Sequence, residues 1–499
     1  MITAAAQAEH NHGFQLHLRN QVAQAEPFYR RAIALAPDFQ QAWINLGLAV
    51  LMQRRPEEAL LCQRQALRLY PDSADAHNNL GMVHYTAGNI AEAENCFRAA
   101  LRLNPDHPNA TLNLGSARQT LNHVEEAETL FRRAITLGAD PGRARSNLSL
   151  TLMEQGRPEE AVTCLRQALK DRPDHPEAEA NLALALLTMG RLDEGFQHYE
   201  SRWQTEAMGG PAPSLPQPRW TGQPLHGETV LLYAEQGFGD TLQFCRYAPM
   251  VTQAGGRVVL VVPKALRQVM KTLDGVAELL TDEADALPPF DYHCPLLSLP
   301  FACNTRIDTI PAAVPYLRGD PAPWASFLHS LPGLKVGLVW AGKSRTTQPH
   351  AVAVDQRRSM RLADMAPLLD VPDCSFVSLQ LGPPASQQQV LAGGLLHDVS
   401  DRLTDWSDTA GLIMGLDLVI AVDTAVVHLA GALGKPVWML NRFDSCWRWL
   451  RGRDDSPWYP TLRQFRQTRR NDWSAVIASV RQALLQRASG SVTDSAAGC

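Results

Sequence analysis

Two kinds of apolar patterning divide the chain. Over roughly the first 200 residues, apolar and small residues recur at helical spacing, and the whole pattern returns every 34 residues. Asparagine stands at 11, 45, 79, 113, 147 and 181, leucine follows it at 46, 80, 114, 148 and 182, and glycine comes next at 13, 47, 81 and 115. In the second half of each unit alanine stands at 25, 59, 93, 127 and 161, and again at 32, 66, 100, 134 and 168. Small residues let two antiparallel helices approach closely, while the leucines fill the space between hairpins. Hairpin turns are expected at Asn20, Arg54, Gly88, Asn122, Gly156 and Gly190, all but Arg54 of residue types that tolerate left-handed backbone. Prolines at 37, 71, 105 and 173 then stop the second helices.

A 34-residue helical hairpin is the length of a tetratricopeptide (TPR) unit, so residues 1–205 read as six TPR repeats forming an α-solenoid superhelix. The column Asn45, Asn79, Asn113, Asn147 and Asn181 has two readings. It is common repeat consensus, or it is a row of amides along a groove that grips the backbone of an extended peptide. The column resembles the asparagine ladder of the TPR superhelix in eukaryotic O-GlcNAc transferase, which implies a protein or peptide partner in that groove.

The pattern changes after a Pro/Gly-rich linker at 206–226. Short unbroken apolar runs follow at 229–234 and 257–262, and a second set at 335–342, 376–380, 417–423 and 436–440. Such runs read as parallel strands buried on both faces. They predict two doubly wound, Rossmann-like lobes, 227–318 and 335–488, joined through 319–334, with a ligand-sized cleft between them. An amphipathic stretch at 472–488 closes the second lobe, and 489–499 reads as a disordered tail.

With 499 residues, 45% hydrophobic and 19% charged, the chain is ordinary for a globular protein and too apolar for a disordered one. A formal net charge of -5 argues against a general nucleic-acid or membrane-surface binder. The nine cysteines are scattered with no CxxC pair, which disfavours a disulfide framework or a zinc site. Neither a signal-like start nor an apolar run of about 18 residues occurs, and a cytoplasmic protein with no transmembrane segment is expected. TPR surfaces often self-associate, which leaves a homo-oligomer open.

Three segments could carry chemistry. In the first, Gly237 and Gly239 permit a tight strand-to-helix turn with Asp240 at the helix start, either as an N-cap or as a general base. In the second, a strand ends at Asp423, and Thr424, Ala425 and Val426 open a helix whose free amides suit a diphosphate. His428, four residues beyond Thr424, lies near the same face, as a structural histidine or a ligand-side one. The third is a basic cluster of Lys343, Arg345, Arg357 and Arg358, either a solvated loop or an anion seat.

The runs QGFGDTLQFCRY, GLVWAG with the later RRSM, FVSLQLGP, VDTAVVHLAGALGKPVW and SPWYPTLRQFRQ together resemble the heptosyltransferase-like glycosyltransferases of family 9, above all bacterial proteins that join TPR repeats to such a domain. The resemblance covers nearly the whole chain. It implies a GT-B fold and an inverting, metal-independent glycosyltransferase that needs no cofactor beyond its nucleotide-sugar substrate and takes its acceptor from the TPR arm. It implies that Asp240 is the catalytic base and that Gly237, Gly239, Asp423, Thr424, Ala425, Val426 and His428 surround the donor. Lys343 and Arg358, with Ser359, would offset charge on the leaving nucleotide, and Gln380 would face it. Relatives commonly have asparagine where Lys343 stands. The alternative reading is a non-catalytic TPR scaffold or adaptor that retains a sugar-nucleotide-binding fold.

Overall fold

The computed structural model describes residues 2–205, 212–342, 349–390 and 395–496. By internal contacts the chain forms two compact units, Met1–Asn181 and Leu182–Cys499.

The first unit is an α-solenoid. Its hairpins pair Ala4–Leu18 with Val22–Leu35, Gln40–Met52 with Pro56–Leu69, Ala74–Thr86 with Ile90–Leu103, Pro108–Thr120 with Val124–Thr136, and Pro141–Glu154 with Pro158–Asp171. A sixth hairpin, Pro176–Thr188 with Leu192–Tyr199, carries the boundary between the units inside its first helix. Every expected turn residue has left-handed backbone, with φ of 59° at Asn20, 62° at Arg54, 81° at Gly88, 67° at Asn122, 76° at Gly156 and 79° at Gly190. The next residue then donates to a carbonyl five positions back, as Arg55 does to Val50 and Asn89 to His84, which satisfies a helix-end acceptor. The fourth repeat has no proline after its second helix. There Gly138, at φ 82°, makes the same kind of exit.

Packing explains the repeat consensus. All ten alanines of the two columns are fully buried. A Cβ at Gly81 would lie 2.5 Å from a Phe97 ring carbon, and one at Gly115 would lie 2.7 Å from Phe131. The glycine column thus makes room for a side chain of the partner helix, which in the second repeat is Gln63 rather than an aromatic ring.

The second unit is α/β with two parallel sheets. The first contains β1 (Thr229–Tyr233), β2 (Arg257–Val262), β3 (Glu278–Thr281) and β4 (Tyr292–Pro295), in the order β3-β2-β1-β4. The second contains β5 (Leu334–Val339), β6 (Cys374–Ser378), β7 (Leu396–His397), β8 (Leu418–Val422), β9 (Val437–Asn441) and β10 (Leu462–Arg466), in the order β10-β9-β8-β5-β6-β7. Both orders reverse direction beside their first strand, between β1 and β4 and between β5 and β8, as in doubly wound folds. One apolar core includes Val230, Leu232 and Leu242 from around the first sheet and Val419, Val427 and Leu429 from around the second. A second core lies on the other face of the second sheet, where Val336, Ile420 and Leu440 meet Val480 of the last helix.

Within the described part of the linker, Trp220 is buried and its backbone N–H donates to the His293 carbonyl of β4 at 2.9 Å. One boundary expectation changes. The closing helix is continuous over Ser474–Ala496, so residues 489–496 extend it rather than form a tail.

Candidate functional site

The turn after β1 leads into the helix Phe238–Phe244, with Gly237 at its N-cap. Asp240 accepts the Gly237 N–H at 3.1 Å through Oδ2 and forms an ion pair with Arg448 through Oδ1. Arg448 also donates to Gln243 Oε1 at 2.9 Å and lies over the Trp447 ring at 4.4 Å. Burial pulls the Arg448 pKa down, but Asp240, Cys446 and Tyr199 together outweigh it and hold the guanidinium above its usual range. Both oxygens of the proposed base therefore already accept hydrogen bonds, one as helix capping and one as a buried counter-charge.

Gly239 has a packing role. A Cβ there would sit 2.9 Å from His428 Cδ2, so its absence lets the helix Phe238–Phe244 lie directly against the helix Ala425–Ala432. The gap expected between the lobes is closed at this level by that contact. His428 is 5% exposed, stacks on Trp449 with ring centroids 5.2 Å apart, and pairs through Nδ1 with the Tyr459 hydroxyl at 3.0 Å. Burial, then Arg448 and Arg246, push its pKa well below the usual value, and the imidazole is neutral. Of the remaining residues at this helix start, Asp423, Thr424 and Ala425 are half-buried and Val426 is buried. The Thr424 hydroxyl is enclosed and has no hydrogen-bond partner among the described residues.

The loop after β5 is pinned from three sides. Gln380 accepts from the Trp340 and Ala341 amides at 3.1 and 2.9 Å and donates to the Ala341 and Leu381 carbonyls at 3.0 Å. Its amide holds backbone in place, a different role from facing a nucleotide. Ser359 Oγ accepts the Gly342 N–H at 3.1 Å. Arg358 pairs with Asp355 at 2.7 Å and reaches the Asp423 carbonyl at 3.4 Å, while Arg357 pairs with Asp444 at 3.1 Å. Their charges meet carboxylates, so the basic cluster is partly neutralised within the fold. Lys343 and Arg345 lie outside the described residues.

In the first unit the asparagine column links repeats. Asn45 donates to His10 Nε2 at 2.9 Å, Asn113 to Asn78 Oδ1 at 2.9 Å, and Asn147 to Ser116 Oγ at 3.1 Å. Asn79 accepts from Asn78 at 3.0 Å. Asn45, Asn79 and Asn113 are buried, whereas Asn147 and Asn181 are half-buried.

Several residues that carry the most electrostatic weight escaped the sequence reading. Arg246, 4% exposed, donates to the Trp458 carbonyl at 2.6 Å and to the Tyr316 hydroxyl at 2.7 Å, and lies 4.5 Å over each of the Tyr316 and Tyr459 rings. Arg202, 2% exposed, donates to Glu235 at 2.8 Å, to Glu200 at 2.8 Å and to Ser298 Oγ at 2.7 Å. The only available sequence signal was that both arginines stand in aromatic surroundings, ESRWQ and FCRY. A cavity of about 240 Å³ lies elsewhere in the second unit, lined by Asp193, Glu194 and Gln197 on one side and Phe301, Asn304 and Thr305 on the other. Among the described residues no group of His, Cys, Asp and Glu side chains is arranged to hold a metal ion, and no helix is long and apolar enough to cross a membrane.

The tetratricopeptide-repeat family model matches residues 19–74, 61–94, 78–144 and 147–211, and the N-terminal solenoid is a TPR-repeat domain. Protein FlbA of Caulobacter vibrioides is 28% identical over 318 residues, 58% of this chain and 52% of that protein. The chain thus spans about half the length of the curated relative it matches. Among solved structures, the thermophilic TPR protein TTC0263 of Thermus thermophilus shares 23% identity over 37% of this chain and 100% of its own, with a TM-score of 0.34. PilF of Pseudomonas aeruginosa shares 27% identity over 35% of this chain and 78% of its own, with a TM-score of 0.31.

The family match is to a repeat domain and the curated relative is FlbA, and on these the expectation of an enzyme is corrected. The glycosyltransferase, heptosyltransferase-like and nucleotide-sugar assignments are corrected with it. Asp240, half-buried, pairs with Arg448.

Proposed function

We propose that the chain is a non-catalytic scaffold. Its TPR arm holds an extended protein segment along the face where the first helices meet, and the α/β unit is a folded platform whose two sheets keep a GT-B-like arrangement. The observation that carries the non-catalytic part is the Asp240–Arg448 ion pair, which occupies the group a transfer reaction would need as base. Asn147 and Asn181, the half-buried members of the asparagine column, support the peptide-holding part, because their amides stand on the first helices with part of their surface open.

The test has two arms. Incubation with UDP-, GDP-, ADP- and dTDP-sugars is expected to release free nucleotide no faster than a protein-free control. Release that disappears in Asp240→Asn would sink the scaffold reading. A degenerate peptide library is expected to be retained by the full chain and lost when Asn147 and Asn181 are both changed to alanine.

One observation favours a second, compatible reading, in which the α/β unit binds an anionic ligand without turning it over. The unpartnered Thr424 hydroxyl stands at a helix start, and Arg358 reaches the neighbouring Asp423 carbonyl. A ligand of this kind raises the melting temperature of the folded state. A thermal-shift screen with inorganic phosphate, pyrophosphate and the four nucleotide sugars checks it, and no shift with any of them removes it.

A further inference from the structure

Among the described residues, the non-glycine residues with positive φ are polar or charged, as Asn20, Arg54 and Asp373 are, with one exception, Leu450. Its φ of 51° and ψ of -178° fall in a region that glycine alone occupies readily. The backbone there is strained, and it persists only while its surroundings hold it. Leu450 closes the short helical turn Trp447–Trp449, which presents Arg448 to Asp240.

Two sets of contacts hold this turn. From β10, Arg466 donates to the Leu450 carbonyl at 2.7 Å and Gln464 to the Trp449 carbonyl at 2.8 Å. The other set comes from the sixth hairpin, whose residues from Leu182 onward belong to the second unit. Phe196 meets Trp447 edge to face with ring centroids 5.5 Å apart, and both rings are buried. The hairpin's turn lies against Leu450, since a Cβ at Gly190 would be 3.9 Å from Leu450 Cδ2. Gln236 donates to the Tyr199 hydroxyl at 3.1 Å and directly precedes Gly237, whose N–H Asp240 accepts. The hairpin thus touches the turn that carries the arginine and the turn that leads to the aspartate.

The repeat consensus does not call for this contact. Counted back in steps of 34, Phe196 stands where earlier repeats have Val162, Glu128, Glu94, Leu60 and Glu26. The three glutamates pair with Arg132, Arg98 and Arg30 at the solenoid surface. The sixth repeat has a buried ring at this position instead.

We propose that the sixth hairpin is a latch on the Trp447–Leu450 turn. Seated, it keeps Leu450 in its strained backbone and Arg448 on Asp240; displaced, it lets the turn relax and Arg448 withdraw. The first helix of the hairpin runs across the boundary between the units, so a movement of the arm has a covalent path to that latch. This goes beyond the scaffold reading by giving the arm a means to act on the platform.

Cys446 reports the state of the turn, because it is half-buried and its Sγ accepts from Arg448 Nη1 at 3.2 Å. The full chain is pulsed with N-ethylmaleimide, and peptide mass spectrometry reads each cysteine, with the half-buried Cys374 of β6 as reference. Phe196→Leu stays apolar but loses the ring contact, and it is expected to raise Cys446 labelling about tenfold while Cys374 is unchanged. Glycine adopts the Leu450 backbone without strain, so in a Leu450→Gly background the same Phe196→Leu change should alter Cys446 labelling by less than about twofold. Comparing the two ratios cancels whatever packing Leu450→Gly removes, and circular dichroism melts verify that each variant folds. Unchanged Cys446 labelling in Phe196→Leu overturns the proposal, as does an equal rise at Cys374, which would be general loosening. Equal ratios in the two backgrounds also overturn it, because the hairpin would then act on the turn with no strain to hold.

Discussion

The solenoid and the α/β unit place their cations in opposite ways. In the solenoid, several arginines lie at the surface and meet carboxylates of the same or a neighbouring repeat, as Arg55 does with Glu26 at 2.8 Å and with Glu58. In the α/β unit, Arg202, Arg246 and Arg448 are 2%, 4% and 8% exposed. Surface pairs add little and tolerate exchange, whereas a buried cation must be fully met by acceptors or the local fold fails. Arg448 pairs with Asp240 in the first turn of one helix that the sequence marks for chemistry, and Arg448 and Arg246 both act through charge on His428 of the other. Asp240 and His428 are therefore as much part of an interior electrostatic arrangement as candidates for contact with a ligand.

The sharpest break of this comparison is Arg202→Ala, which leaves Glu235 inside the unit without its counter-charge. We expect a loss of about 3–5 kcal/mol. Tryptophan emission in a urea titration reads it selectively, because Trp43 is the one tryptophan before residue 182 among eleven in the chain. The double variant Arg202→Met with Glu235→Leu should recover most of the loss, since it removes both charges and keeps the volume. No recovery would mean that Arg202 acts through its packing over Tyr199 and Trp203, each about 4.9 Å from the guanidinium, rather than through charge.

Next in size is overpacking at the two kinds of helix contact. Gly239→Ala sets a methyl 2.9 Å from the His428 ring, and Gly81→Ala sets one 2.5 Å from Phe97. Each is expected to cost about 1–3 kcal/mol. The first should appear in tryptophan emission and the second in helical circular dichroism. A loss confined to the opposite probe would mean that the two units do not melt separately.

What the sequence makes legible follows the same division. The solenoid is read almost residue by residue, because each hairpin repeats one local solution: Asn20, Gly88 and Gly190 turn where the period puts them. Unbroken apolar runs such as LVIAV of β8 announce buried parallel strands. The strands without such runs are hidden: β7 has two residues, β4 reads YHCP, and β10 reads LRQFR. The candidate site is the least legible part. Arg448 meets Asp240 from 208 positions away, and Tyr459 meets His428 from 31 positions away. No local spacing marks either pair. Asp240 looks the same in sequence whether its oxygens await a proton or already serve Arg448 and the Gly237 amide.

A pH titration sharpens the contrast at smaller scale. His428 is buried with a pKa well below 6.5, so the folded state binds fewer protons than the unfolded one below that pH. Its contribution to stability is complete above the unfolded pKa of about 6.5 and is lost as pH falls toward the folded value, at up to about 1.4 kcal/mol per pH unit. His10 and His17 in the solenoid are lowered in the same direction, both mainly by burial. Between pH 7.5 and 5.5, tryptophan emission should therefore report the His428 loss set against an opposing gain at Glu235, whose pKa burial raises to about 7, and helical circular dichroism should report falling stability. His428→Gln should remove the loss from the first slope and leave the second unchanged; an unchanged tryptophan slope would assign the effect to another group.

The smallest expected effect is at the solenoid surface. Arg55 is 42% exposed at its side chain and bridges Glu26 and Glu58 across two repeats, an arrangement that looks substantial on paper. Water screens both partners, and holding three long side chains in one geometry costs rotamer freedom. Arg55→Ala should therefore cost only about 0.2–1 kcal/mol at low salt, and most of that should vanish near 1 M salt, where the Debye length falls to about 3 Å. A loss above about 2 kcal/mol that persists in high salt would exceed what a surface pair supplies. It would mean that the carboxylates of Glu26 and Glu58 are poorly hydrated once Arg55 is gone, and the contrast between an outer and an inner use of arginine would then have to be redrawn.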